Sequence, residues 1–161
     1  MNRFRYVLVL SAAAVAAVTA GSASGVAHKA APFKATIVGK AVVKVNGDLA
    51  DITATGAGTA TLLRKTKMTA KGAGTKSEPC PLFGGIASLA GTGGKINFKI
   101  PPNAGNGCTD EEGNTFNLVG RATITGGTLK YKKAKGSFKF SGTYDRGTGN
   151  FSVKFTGTVI V

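Results

Sequence analysis

Phe138-Lys139-Phe140-Ser141-Gly142-Thr143-Tyr144 and Val153-Lys154-Phe155-Thr156-Gly157-Thr158-Val159 carry one pattern twice: apolar, lysine, phenylalanine, hydroxyl, glycine, threonine, apolar. Between them lies Asp145-Arg146-Gly147-Thr148-Gly149-Asn150, built almost wholly of turn residues. Two alternating strands joined by such a loop read as an antiparallel hairpin. Pairing Tyr144 with Phe151 sets Phe140 against Phe155, Phe138 against Gly157 and Val153 against Gly142. A large side chain over a cross-strand glycine restores packing that the glycine lacks. The opposite face carries Ser137, Lys139, Ser141 and Thr143 against Ser152, Lys154, Thr156 and Thr158, and is wet.

The strand before this hairpin alternates as well. Phe116, Leu118, Gly120, Ala122 and Ile124 point one way; Thr115, Asn117, Arg121, Thr123 and Thr125 point the other, with Val119 the one exception. A period of two held over this length is the mark of a half-buried strand. Outside residues 1–27 no window repeats apolar residues at helical spacing over three turns. The chain therefore reads as all-β. Strands with one apolar face and no helix to cover it must pack on a second sheet or close into a barrel.

Residues 1–27 read as a leader rather than as part of the fold. Arg3 and Arg5 precede an apolar run, Val7 to Val18, and then a stretch rich in small residues up to Ala27, the layout of a secretory signal peptide. The apolar run falls short of the ~20 residues that span a bilayer, so no transmembrane segment is expected in the mature chain. Cleavage sites are open after Ala20, Ala23, Ala27 or Ala30, and Ala27 is favoured. Residues 28–161 then form one domain, long enough for one core. The chain of 161 residues carries a formal charge of +14, of which the leader removes two arginines and no acid. A domain this basic is drawn to anionic surfaces; alternatively, lysines spread singly along strands keep a β-protein soluble and guard its edges.

Elsewhere, Thr36 to Val45 reads as a first strand, Asn46-Gly47-Asp48 as a tight turn and Leu49 to Thr55 as the return strand. Gly56-Ala57-Gly58 reads as a second turn and Thr59 to Thr69 as a long third strand. Unbroken alternation would turn Arg64 inward beside Leu62 and Thr66. A bulge at Leu63-Arg64 would throw it outward and avoid a buried, unpaired guanidinium. Lys71 to Gly94 reads as irregular, with a short strand near Leu82–Leu89. Lys95 to Ile100 reads as a strand that Pro101-Pro102 ends, and 103–114 as a polar loop.

Cys80 and Cys108 make an even count in an exported chain, so one disulfide is expected. It would close a loop of about 28 residues and contribute about 3–4 kcal/mol, stapling the two least regular segments across the Lys95–Ile100 strand. His28 is the only histidine and sits at the leader junction. No Ser-His-Asp or Cys-His arrangement and no histidine-based zinc site can be built inside the domain. Catalytic residues, metal ligands and cofactors are therefore not assigned. Asp110-Glu111-Glu112 reads as a solvated turn rather than a calcium loop. Lys130-Tyr131-Lys132-Lys133-Ala134-Lys135 is the densest basic stretch; it is short and lacks arginine, and reads as a strand edge or hairpin tip rather than a specific nucleic-acid surface.

Ile124-Thr125-Gly126-Gly127-Thr128-Leu129-Lys130-Tyr131-Lys132-Lys133-Ala134-Lys135-Gly136 resembles the Ile-x-Gly-Gly-Thr-Gly-x-Tyr-x-x-Ala-x-Gly segment of the dirigent and allene-oxide-cyclase-like β-barrels. Gly58-Thr59-Ala60-Thr61-Leu62-Leu63 resembles the Gly-x-Ala-Thr-x-Leu block of small secreted bacterial members of that group. The chain departs from the pattern at Leu129, where the group has glycine; a glycine is also usual near Arg64. The resemblance implies a single antiparallel closed β-barrel of about eight strands, lipocalin-like in shape, in a secreted, extracellular bacterial protein. It further implies either a barrel mouth in which a small hydrophobic molecule is steered or cyclised, or a barrel with no known activity. The barrel-lining candidates are Phe98, Phe116, Phe140, Tyr144 and Phe155, with Arg64 if it turns inward. Three functions stay open: holding a small apolar ligand, binding an anionic cell-envelope polymer through surface lysines, or dirigent- or cyclase-like catalysis. An inward pair such as Arg64 with an acid would favour the last.

Overall fold

The structure is a computed structural model and describes residues 29–76 and 79–161. The signal-peptide reading of residues 1–27 and the lone His28 lie outside the described residues. Eight antiparallel strands follow one another around a closed barrel: β1 Ala30–Asn46, β2 Leu49–Ala60, β3 Arg64–Thr75, β4 Leu82–Gly91, β5 Gly94–Thr109, β6 Thr115–Gly127, β7 Lys135–Asp145 and β8 Asn150–Ile160. β8 pairs back onto β1, with Phe33 opposite Gly157 and Gly39 opposite Phe151. Closure leaves no free sheet edge. Among the described residues no helix is long and apolar enough to cross a membrane.

The β7–β8 hairpin has the register that alternation demands. Tyr144 pairs with Phe151, Phe140 with Phe155, Phe138 with Gly157 and Gly142 with Val153. A slip of one residue would have turned Lys139 and Lys154 inward. At Gly142 and Gly157 the nearest atoms to an added Cβ are strand backbone, whereas at Gly120 and Gly105 they belong to the rings of Phe140 and Phe83. Both are cross-strand pairs.

Several boundaries differ from the sequence reading, each for a physical reason. Gly56-Ala57-Gly58 is not a turn; it lies within β2, where Gly58 lets the backbone of Thr36 on β1 come closer than any side chain allows. The turn comes at Leu62-Leu63 instead, so Thr59–Thr69 is not one strand but the end of β2 and the start of β3. β1 begins earlier than Thr36, and Phe33 is fully buried. The 71–94 stretch is mostly sheet, from β3 through β4. Pro101-Pro102 does not end β5. Pairing with β6 breaks between Lys99 and Gly105 and resumes, so the prolines sit in a bulge where no ladder N–H is required. The 103–114 segment is accordingly strand as far as Thr109, and only 110–114 turns.

Cys80 and Cys108 are bonded, with Cα atoms 4.0 Å apart. The bond does not reach across an intervening strand. β4 and β5 are neighbours, and their ladder continues past Leu82↔Asn106 through N–H donation from Gly107 to the Pro81 carbonyl and from Thr109 to the Pro79 carbonyl, both 3.0 Å. The disulfide staples these two strands at one rim.

One half of the interior is solid. The ring of Phe33 stacks on Phe138 at 4.7 Å between centroids, and Phe98 meets Phe138 and Phe155 edge-on, each at 5.5 Å. Ile37, Leu63, Leu89, Ile96 and Val159 complete this layer and are fully buried. The β6–β7 connection is neither strand edge nor simple hairpin tip. It folds through a single 3-10 turn at Leu129–Tyr131 that sets Tyr131, and Ala134 after it, into the end of the barrel as a plug.

Candidate functional site

The other half of the interior is hollow. Its cause is a division of side-chain size around the barrel. Ala41 pairs with Ala54, Ala54 with Ala70 and Ala70 with Ala87, so four alanines run in register across β1, β2, β3 and β4. In the next layer towards the rim, Gly72 pairs with Gly85. Facing this thin wall, β5 to β8 present Phe98, Phe140, Phe151 and Phe155. Rings on one side cannot fill the space that methyls and hydrogens leave on the other. The result is a cavity of about 170 Å³ whose walls are carbon almost throughout. It continues into a mouth of about 240 Å³ bordered by Val45, Pro81, Gly107, Phe116 and Arg146; Val43, Ile52, Phe83, Leu118 and Tyr144 line both. Val43 and Val45 are on the inward register of β1 and yet exposed, because this end carries no plug.

The sequence candidates divide. Phe98, Phe140, Phe155 and Tyr144 line the cavity, and Phe116 stands in the mouth with its centroid 6.0 Å from the Tyr144 ring. Arg64 does not join them. It occupies the first position of β3 after the β2–β3 turn at the plugged end, with φ 57°, and is exposed. Its guanidinium is open to solvent there, whereas the apolar interior offers no acid to pair with it. The wall of alanines is hidden in the sequence because Gly56-Ala57-Gly58 has the composition of a turn and so masks the register of β2. The available signal was the spacing of Ala50, Ile52 and Ala54 on alternate positions.

Tyr144 supplies the one hydroxyl of an aromatic residue at the cavity wall. Burial pushes its phenol above the usual value; Arg146 opposes the shift and Asp145 adds to it. The neutral phenol is thus a donor or acceptor at the throat. The guanidinium of Arg146 lies 5.3 Å from the centre of the Phe116 ring, within cation–π range.

Two aspartates organise the loops around this rim. The Asp145 carboxylate accepts the Thr148 N–H at 2.7 Å, and Asp110 accepts the N–H groups of Asn114 and Thr115 at 3.0 to 3.3 Å. Asp110 is therefore committed to its turn. Among the described residues no group of three or more His, Cys, Asp or Glu side chains converges as a metal site would require. The arrangement can hold a small apolar body against rings and offer it one polar contact. No protein-family model, curated protein or solved structure matches the chain.

Proposed function

We propose that the protein is an exported barrel that takes up a small apolar molecule in its open half. The carrying observation is the in-register alanine wall opposite four phenylalanines, which leaves an apolar cavity of about 170 Å³ behind an open mouth. Apolar cavities of roughly 150 Å³ stay dry and accept benzene-sized guests, while drug-sized ligands need roughly 300 Å³ or more. The ligand is accordingly of one-ring or short-chain size, extended at most into the throat beside Tyr144. Export is supported by the leader-like sequence of residues 1–27 and by a disulfide, which persists in oxidising compartments. Dirigent- or cyclase-like catalysis has less behind it: Arg64 faces solvent and no acid lines the cavity.

A titration with a one-ring hydrocarbon such as toluene tests this. The melting temperature should climb with hydrocarbon concentration, by the equivalent of about 2.7 kcal/mol at a hundredfold excess over Kd. Ala70→Leu fills the space and should abolish the shift while leaving the protein folded. A wild-type melt that does not respond to hydrocarbon overturns the reading.

A further inference from the structure

Lysines that lie scattered along the sequence are gathered by the fold. The plugged end is made of three turns tied to one another by hydrogen bonds. The Thr92 N–H of the β4–β5 turn donates to the Leu63 carbonyl at 2.8 Å, the Tyr131 hydroxyl to the Leu62 carbonyl at 2.7 Å, and the Thr128 N–H to the Lys95 carbonyl at 2.9 Å. Arg64, Lys65, Lys95, Lys130, Lys132 and Lys133 are brought together on these turns, with Lys34 beside them through its backbone bonds to Thr61. Every acid among the described residues sits at the opposite, open end or within a few residues of it: Asp48, Asp51, Asp110, Glu111, Glu112 and Asp145. Lys44, Lys76 and Arg146 are also there, so the open rim is mixed in sign while the plugged end is purely basic.

In the 3-10 turn of the plugged end Leu129 is 78% exposed, more than Ile86 at 66% or Leu49 at 61%, and is followed by Lys130, Lys132 and Lys133. Solubility requires no leucine in a basic turn, and a hydrated polymer offers it nothing to enter. A bilayer offers both partners: headgroup phosphates for the lysines and an acyl boundary for the leucine. We propose that the plugged end docks on an anionic phospholipid membrane surface, with Leu129 entering the interface. Docking in this sense points the mouth away from the lipid, so that whatever the cavity holds exchanges with the aqueous side.

The test uses the chain from His28 onward, which contains all eight strands of the closed barrel and lacks the apolar leader that would itself bind lipid. Vesicles of phosphatidylcholine mixed with phosphatidylglycerol should sediment the protein at low salt, and pure phosphatidylcholine vesicles should not. Replacing Lys130, Lys132 and Lys133 together with glutamine should weaken binding on the order of a hundredfold, about fivefold per lysine. Leu129→Gly should weaken it by a further severalfold without unfolding the protein, whereas glutamines at Lys44 and Lys76 should change little. The proposal is overturned if anionic vesicles leave the protein in the supernatant, or if the triple variant sediments like the wild type. It is also overturned if Leu129→Gly binds undiminished while soluble polyphosphate competes fully, which would name a polymer as the partner.

Discussion

The hydroxyl of Tyr131 donates a 2.7 Å hydrogen bond to the carbonyl of Leu62, across a sequence separation of 69 residues. That bond ties the plug to the β2–β3 turn. The ring beneath it is 1% exposed. Tyr131→Phe keeps the ring but strands the Leu62 carbonyl, and should lower stability in urea by about 1–3 kcal/mol. Tyr131→Ala also removes the ring and should cost about 3–5 kcal/mol. If the phenylalanine variant melts with the wild type, packing alone holds the plug.

The barrel interior should respond unevenly to truncation. Phe138 packs against Phe33, Phe98 and Phe155 in the solid half, while Phe140 borders the cavity. Phe138→Ala is expected to cost about 3–5 kcal/mol, and Phe140→Ala about 3 kcal/mol, because Phe140 already lacks neighbours on one side. Lys139→Ala, between them on the wet face, should stay within about 0.5 kcal/mol of wild type. Denaturant melts of the three would rank them; equal losses at 139 and 140 would contradict the register.

Legibility in the sequence followed the clarity of period two. β7 and β8 alternate without interruption and β6 with Val119 as its one exception, so their register and inward set could be read directly. The β1–β4 wall could not, because its inward positions are alanine and glycine, which punctuate turns as readily as they line a thin wall. Glycine at 56 and 58 permits close approach of β1 and β2 rather than a change of direction. The charge segregation was invisible for another reason. Arg64, Lys95 and Lys130 are far apart in the chain, and only the fold gathers their turns at one end of the barrel.

Two non-glycine residues hold a glycine-like conformation at the plugged end: Arg64 at φ 57° and Leu129 at φ 52°. A side chain in the left-handed region costs about 1–2 kcal/mol, of which a glycine's greater freedom in the unfolded chain returns about 0.4–1 kcal/mol. Leu129→Gly and Arg64→Gly should each stabilise the protein by about 0.5–1 kcal/mol, measured by urea midpoint at unchanged slope. A loss of stability at both positions would show that their side chains contribute packing that outweighs the strain.

The rim disulfide holds β4 to β5 beside the mouth, where Pro81 and Gly107 border the opening. Replacing both cysteines with serine should cost about 3–4 kcal/mol by the loop-entropy argument. The plugged end should be insulated from the change. In hydrogen exchange, amides around Cys80 and Cys108 should lose protection first, and those around Phe33 and Tyr131 last. Uniform loss would mean that the barrel opens as one unit.

Acid should act first on the open rim. Hydrogen bonds from the Thr148 backbone and side chain hold the Asp145 carboxyl below its ordinary value of 3.8, with the Gly147 N–H and Lys40 adding to the effect against some desolvation. For Asp110, desolvation pushes upward, but N–H groups of Thr115, Asn114 and Gly113 outweigh it, and the net shift is again downward. A carboxyl with a depressed folded-state pKa binds fewer protons folded than unfolded, so stability rises with pH across the interval between the two values. The contribution is complete above the ordinary carboxylate range and is lost as pH falls through the folded-state value. Tm should therefore be level above about pH 5 and decline below about pH 4. Asp145→Asn with Asp110→Asn keeps an acceptor oxygen at each turn and removes the titration, so the acid limb of the doubly substituted protein should be shallower. An acid limb as steep as that of the wild type would place the sensitive groups outside these two turns.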